Sequence, residues 1–499
     1  MRTIILILLS TISNIICYSQ ELKRLNNWPI GFAPAINFNF NSSLGISALP
    51  NNFCGLESSA AISDTNGNLL FFSNGFILYS YDSYAIDSGY YINCPYGKIL
   101  CNHYGGSSLF DQTSIILPKK GNTYYVFSTG MSDSVANNYL NNIKTEFDVL
   151  NYSIVDMDSN AGKGKVIQKN MVLADNQHFV DCALQAVKHA NGKDWWLVKA
   201  DAKNNRYQEY LVLADTILGP YYQYVPTANI GGFRPWQSEL FFSEDGKQMA
   251  STMYGNIDTI NGNAFYDFNR VDLFDFDRCY GTLTYKQQYR VPYDTSSYPN
   301  YDIKAGICFS PNGKLLYMSN MYTIYQIDLE DTNRYNAIFI HGPDTSIAGF
   351  NWYASMGLAP NGKIYIGSDI GSYSISYIDS PNVKGLGCSF IPRGVTQSYT
   401  GLRSPPNMPN YGLGADTSVV CWPLQSENVK EKEKDWVVYP NPAYQNIYIN
   451  NARGKKKTLY NLSGQIISST TKDEIDVSKY AKGMYFIQIN NAVKKIIIE

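Results

Sequence analysis

One short phrase recurs six times in this chain and restricts it to few folds. A short apolar strand leads into a tight turn that ends in glycine, and a second strand rich in aromatic and β-branched residues follows. The copies are SAAISDTNGNLLFFSNG (59–75), SIILPKKGNTYYVFSTG (114–130), LQAVKHANGKDWWLVKA (184–200), ELFFSEDGKQMASTMYG (239–255), GICFSPNGKLLYMSNMY (306–322) and MGLAPNGKIYIGSDIG (356–371). Their turn glycines are Gly67, Gly121, Gly192, Gly246, Gly313 and Gly362, spaced 54, 71, 54, 67 and 49 residues apart. Pro311-Asn312-Gly313 and Pro360-Asn361-Gly362 fit a three-residue hairpin: a type I turn followed by a left-handed glycine. Proline pre-sets φ at the first turn position, and glycine takes positive φ without strain. A third strand follows most copies, at 149–158, 208–215, 270–277, 322–331 and 374–380. A hairpin with outer strands, restated at this period, marks the blades of a β-propeller. The expected fold is all-β: a multi-bladed β-propeller of six or seven blades followed by a small C-terminal β-sandwich. The early strand AINFNF (35–40) is expected to complete the last blade and close the ring, which removes exposed sheet edges.

Composition agrees with that reading. Tyr (41) and Phe (23) are abundant while charged residues make up only 16% of the 499, a mix suited to strands and polar turns. A net charge of −2 with no basic stripe argues against a nucleic-acid partner. The N-terminus begins MRT, continues with the apolar run 4–16 and ends in CYS before Gln20. That pattern describes a secretory signal peptide, residues 1–19, cleaved after Ser19. A lipoprotein anchored at Cys17 is the rival, although bulky Ile16 stands where such signals carry a small residue. No later stretch reaches the roughly 18 apolar residues of a membrane span. Of nine cysteines, eight follow Cys17, with no C-x-x-C among them. Export permits disulfides, and Cys94 with Cys101 could form a short-loop pair. Cys308 reads as an isolated buried thiol.

The propeller is expected to span 20–423 and to end in the Pro- and Gly-rich segment LRSPPNMPNYGLG, read as an irregular closing stretch. Residues 424–435 carry mixed charge and read as a linker. The last unit, 436–499, holds seven short strands: DWVVY, NIYIN, KKTLYN, GQIISS, EIDVS, GMYFIQI and VKKIIIE. That number in so few residues suggests a small, immunoglobulin-like β-sandwich. Its phrases VYPNPA (438–443), LYNLSGQII (459–467), IDVSKYAKGMYFIQI (475–489) and KKIIIE closely resemble the type A sorting domain of the bacterial type IX secretion system. The resemblance implies a Bacteroidetes cell and passage across the outer membrane. It also implies the secretion machinery and a sortase-like peptidase as partners, with the product released or attached to the surface. The large domain resembles, more loosely, the propeller-like cargo regions found with these signals. GLESSAAISDTNGNLLFFSNG, AVKHANGKDWWLV, FSPNGKLLYMSN and PPNMPNYGLG carry that likeness. Gly412 stands where the group's closing phrase, PNYRLG, has arginine. The group has no settled activity to transfer.

Candidate chemistry is sparse. The four histidines, His103, His178, His189 and His341, show no metal-ligand spacing, and no metal or cofactor is expected. Nucleophile-elbow, P-loop and dinucleotide signatures are absent, so no catalytic residue is assigned. Glu57, Asp111, Asp181, Glu239 and Asp302 could converge in a propeller channel as in a glycosidase, whose carboxylates lie about 5 to 10 Å apart. Trp195, Trp236 and Trp352 could stack on sugar rings, although aromatics also fill the space between blades. The densest cluster, KHANGKDWWLVKA (188–200), reads as a structural hairpin built by His189, Asn191, Gly192, Asp194 and Trp196. Its register is open: a type I turn with a bulge sets His189 opposite Lys193, whereas a two-residue Asn-Gly turn sets it opposite Asp194. The residues favour an exported, non-enzymatic protein at the cell surface or released from it, binding glycan or protein. A secreted hydrolase or lyase with channel acids is the alternative, and a structural or adhesive surface component is a third class.

Overall fold

The computed structural model describes residues 20–499 apart from 32–34, 51–58, 97, 104–111, 142–146, 203–204, 227–237, 253–256, 261–262, 267–269, 292–305, 320–322, 334, 343–352, 369–371, 398–400, 402–403, 420, 422–435, 451, 453, 463 and 490–491. The expected signal peptide and linker therefore lie outside the described residues. The chain divides into two compact units, 1–416 and 417–499.

All six repeat glycines adopt positive φ, from 62° at Gly121 to 92° at Gly67. Each turn begins an antiparallel four-stranded meander, and these meanders are blades 2 to 7. Blade 2 comprises Ala60–Ser63, Leu69–Ser73, Ile77–Ser80 and Ala85–Tyr90. Blade 3 comprises Ser114–Pro118, Thr123–Gly130, Val149–Asp156 and Lys165–Ala174; its outer strand pairs in parallel with that of blade 2 at Lys165 and Asp87, which joins the two blades into one eight-stranded sheet. Blade 4 follows as Phe179–Lys188, Trp195–Asp201, Arg206–Val212 and Ile217–Tyr224. In blade 5 the strands are Leu240–Phe242, Gln248–Thr252, Arg270–Asp277 and Thr282–Arg290, with a hairpin (Ile257–Ile260, Asn263–Tyr266) inserted after the second. Blade 6 is Ile307–Phe309, Leu315–Ser319, Ile324–Asp328 and Ile338–His341, and blade 7 is Tyr353–Leu358, Ile364–Ser368, Ser374–Ile378 and Phe390–Thr396. The first strands of successive blades face one another around a common axis.

Residues 27–48 give a different result from the expected one. Ile36–Asn39 does not complete blade 7. It is the middle strand of a separate sheet with Asn27–Ile30 and Gly45–Ala48, a three-stranded blade 1. Among the described residues there are thus seven blades. The ring closes through side chains: Trp28, Phe38 and Phe40 of blade 1 meet Tyr365 of blade 7 edge-on, at centroid distances of 5.8 to 5.9 Å. Edge-to-face rings at this spacing contribute beyond their buried area.

Hairpin geometry divides the repeats. Ala359 pairs with Lys363 across the expected three-residue turn at Gly362. Ser243 pairs with Gln248 and Ser310 with Leu315, so these loops hold four residues. In both, the serine hydroxyl accepts the incoming N–H at 3.0 Å, from Gln248 and Leu315, because its carbonyl is already taken by the turn glycine. Ala359 has no hydroxyl and closes one residue earlier.

The Cys94–Cys101 disulfide closes a short loop within the segment joining blades 2 and 3. Cys182, Cys308 and Cys388 are buried cysteines.

The second unit has the seven expected strands. Val437–Tyr439, Asn446–Asn450 and Glu474–Asp476 form one sheet. Ile466–Thr470, Lys457–Tyr460, Gly483–Ile489 and Ala492–Ile498 form the other, in that order. Ile447, Ile449, Ile475, Leu459, Ile487 and Ile496 meet in the core between them, as alternation in half-buried strands dictates. The YPNPA turn caps the edge of the last strand. The Asn441 side chain donates to the Lys495 carbonyl at 3.0 Å and accepts from the Ile497 N–H at 2.8 Å. Ala443 N–H donates to the Ile497 carbonyl, and Glu499 N–H to that of Ala443. An amide side chain thus replaces a neighbouring strand and blunts an edge open to wrong pairing.

Candidate functional site: a plugged axial channel

The blade 4 hairpin comes first, because its residues are the densest cluster in the sequence. His189 pairs with Asp194, its N–H donating to the Asp194 carbonyl at 2.8 Å, across the four-residue loop Ala190–Lys193. Its partner is therefore the one expected of a two-residue turn, reached by a longer loop. The His189 ring is fully buried and both nitrogens are engaged. Nδ1 accepts from the Asn191 N–H at 3.0 Å and Nε2 meets the Cys279 carbonyl at 2.9 Å, which fixes the neutral tautomer with hydrogen on Nε2. Burial holds its pKa below the usual histidine value. Asp194 accepts from Asn191 Nδ2 at 2.6 Å. Gly192 has φ +73°, and a Cβ there would lie 2.6 Å from the backbone N of Ala415. Trp196 Nε1 donates to the Arg278 carbonyl at 2.9 Å. Arg278, which sequence reasoning missed, fastens the hairpin from blade 5: Nε donates to the Lys188 carbonyl at 2.8 Å and a terminal nitrogen to the Gly414 carbonyl at 2.6 Å. The side chains of Lys188, His189, Asn191, Asp194 and Trp196 are thus committed to the fold.

Gly414 belongs to the segment that decides the site. Residues 404–416 run through the axial channel. Near one end, Asn407 N–H donates to the Ser59 carbonyl at 2.7 Å. Its side-chain amide donates to the carbonyls of Ser114 (3.0 Å) and Leu184 (2.9 Å) and accepts from Gln185 Nε2 at 3.0 Å. One residue thus joins blades 2, 3 and 4. Further along, the Tyr411 hydroxyl donates to the Ile116 carbonyl at 2.8 Å, and Lys188 Nζ donates to the Tyr411 carbonyl at 2.6 Å. Asn410 Nδ2 donates to the Glu244 carboxylate at 3.1 Å. At the far end Asp416 N–H reaches the Ala190 carbonyl at 2.8 Å. The prolines of this segment suit it to an extended path that no strand pairs, since they need no N–H partner. That signal was present in the sequence, but nothing local says where such a path runs. Gly412 packs against Leu22, whose side chain would lie 2.4 Å from a Cβ. The N-terminal turn therefore fills the space beside Gly412.

Beside the plug remains a cavity of about 60 Å³, room for roughly four to six waters. Glu239 and Glu244 are the charged side chains among its described lining. Glu239 accepts from the Ile307 N–H at 3.0 Å. Burial, and secondarily Asp245, raises the Glu244 carboxyl to about 7. Ser59 Oγ, Ser355 Oγ and Trp28 Nε1 line the same space, buried and without a hydrogen-bond partner among the described residues.

The aromatic candidates divide. Trp195 is 2% exposed and lies edge-on to the plug's Tyr411 at 5.9 Å, so its ring is not offered to solvent. Trp236 and Trp352 lie outside the described residues, as do Glu57, Asp111 and Asp302. Asp181 sits on the first strand of blade 4. Among the described residues no cluster of three or more His, Cys, Asp or Glu could hold a metal, and no helix is long and apolar enough to cross a membrane.

Comparison with known families matches residues 437–499 to the secretion system C-terminal sorting domain. The chain carries a type IX sorting domain. It is an exported β-propeller protein, destined for the cell surface or the outside. No curated protein matches it. Among solved structures it is similar to a Bacteroides fragilis protein provisionally named 6-phosphogluconolactonase (14% identity, 75% of this chain and 95% of that one, TM-score 0.43). A Lactobacillus plantarum protein (12% identity, 76% and 98%, TM-score 0.45) is also similar. So is the β-propeller domain of Cps50 (Swd1) from Myceliophteria thermophila (10% identity, 67% and 86%, TM-score 0.36).

Proposed function

We propose that the exported protein is a non-enzymatic binding module that engages a glycan or protein through the outer surfaces of its propeller. The occupied axis carries this reading. Residues 404–416 fill the space where a channel enzyme would hold substrate, and their polar groups are spent on the blades. The two lining carboxylates also fit catalysis poorly. Each is already engaged by the fold, Glu239 by the Ile307 N–H at 3.0 Å and Glu244 by Asn410 Nδ2 at 3.1 Å. The raised Glu244 carboxyl is the one observation that favours a hydrolase, since perturbed acids gather at active sites. Its causes here are burial and Asp245, and its contact is with the plug. We further propose removal of residues 1–19 on export and of the sorting unit by a sortase-like peptidase.

The test uses the mature full chain on a glycan array, in a surface-protein pull-down, and against panels of glycoside, lactone and polyuronate substrates. Saturable binding that persists in Glu239→Gln and Glu244→Gln supports the reading. Turnover that disappears in either variant refutes it.

A further inference from the structure

The sorting unit presents one sheet face that sets two exposed tyrosines among amide and acidic side chains, with no basic residue on its strands. An antiparallel sheet with one face on the core normally turns polar residues outward. The sheet of Val437–Tyr439, Asn446–Asn450 and Glu474–Asp476 buries Ile447, Ile449 and Ile475 on its inner side. Outward it turns Val437, Tyr439 and Tyr448, which are 47%, 43% and 39% exposed, together with Asn446, Asn450, Glu474 and Asp476. Tyr439 and Tyr448 are direct cross-strand partners, and their rings lie 5.9 Å apart at 34°. Glu474 stands opposite Tyr448 on the next strand. The three strands, VVY, NIYIN and EID, contain no lysine or arginine, although the unit as a whole is lysine-rich. Two exposed, mutually tilted phenol rings beside a carboxylate make a surface on which a guanidinium or ammonium group gains a ring face and a counter-charge together.

We infer that this face, centred on Tyr439, Tyr448 and Glu474, is where the sorting unit docks on the secretion machinery, through a cationic, arginine- or lysine-bearing segment of that partner. The inference rests on the sorting function of 437–499 and names the surface that performs it. Asp476 is not part of the contact. Its carboxylate accepts from the Ser478 N–H at 3.0 Å and hydroxyl at 2.6 Å, shaping the following turn. Exposed Tyr444 and Ile466, at 66% and 65%, lie outside these strands and serve as internal controls.

The test expresses the full chain in a bacterium with a type IX system and measures its partition between periplasm and exterior. Tyr439→Ser/Tyr448→Ser and, separately, Glu474→Lys should each accumulate in the periplasm at least tenfold over the parent. The purified variants should keep the parent's circular dichroism at the growth temperature, so that retention reports lost docking and not unfolding. Tyr439→Phe/Tyr448→Phe keeps both ring faces and should be exported normally, as should Tyr444→Ser and Ile466→Ser. Normal export of the serine pair and of Glu474→Lys overturns the docking face. So does a block in the control variants equal to that in the face variants. Deletion of 436–499 separates the two levels: retention upholds the sorting function whatever the face variants do, whereas escape of the truncated chain removes that function and the inference together.

Discussion

Asn407→Ala should loosen the whole propeller from its axis. The substitution leaves the backbone bond to Ser59 in place and deletes three side-chain bonds, to the carbonyls of Ser114 and Leu184 and from Gln185 Nε2. Asn407 is 8% exposed and Gln185 3%, so water does not freely replace the missing amide. Each buried polar group left without its partner costs about 1–3 kcal/mol. With the carbonyls keeping some ladder bonding, the sum is about 3–6 kcal/mol, large against the 5–15 kcal/mol of a typical domain. The assay is urea denaturation of the mature chain, followed by tryptophan fluorescence and by circular dichroism. Trp195, edge-on to Tyr411 of the same segment, makes fluorescence sensitive to the plug. The midpoint should fall in both signals, with fluorescence moving first if the plug leaves before the blades separate. Asn407→Asp should be at least as harmful, because a carboxylate would face two carbonyl oxygens. A loss below about 1 kcal/mol for Asn407→Ala would refute the claim that this residue ties three blades together.

Further substitutions examine other parts of the same architecture. The Glu244 carboxyl is raised from 4.5 to about 7. Its penalty therefore sets in as pH rises above 4.5, where the unfolded chain ionises first, and levels off above about 7; its upper bound is about 3 kcal/mol, reduced by partial exposure of the side chain. Glu244→Gln should raise the thermal midpoint at pH 8 and leave it unchanged at pH 4, and equal effects at both would sink the argument. Gly412→Arg must displace Leu22 and should cost about 1–3 kcal/mol by overpacking, with Leu22→Ala recovering part of it in denaturation. His189→Leu loses the bonds to Cys279 and Asn191 and should cost about 2–4 kcal/mol while leaving any ligand affinity unchanged. Lost binding at full stability would instead make His189 a site residue. Asn441→Ala opens the last strand's edge and should increase concentration-dependent association by light scattering, an outcome absent if the edge is protected otherwise.

The blades were legible because their signals are local. Pro-Asn-Gly and Asn-Gly turns, period-two apolar strands and a fixed repeat report φ and facing within a few residues, and blades 2 to 7 follow from them. Blade 1 was not legible as a blade. Its strands lack the repeat's glycine turn, and only the packing of Trp28, Phe38 and Phe40 on Tyr365 shows that it stands beside blade 7 instead of completing it. The site was legible in reverse. KHANGKDWW holds the rarest side chains, yet its His189 bonds are made to Cys279, 90 residues away.

The sequence by itself determined a β-rich, exported chain of repeated hairpins with a seven-stranded sorting unit, because turns, alternation and the C-terminal phrases are written in neighbouring residues. Only the tertiary structure decided the register at His189, where loop length depends on which side chains take up the turn's N–H groups. It alone decided the path of 404–416. Asn407 meets Ser114 and Leu184 at separations of 293 and 223 residues, and such contacts exist only once the ring has formed around the segment. The axis is therefore filled by a stretch that, read in isolation, looks like a loop.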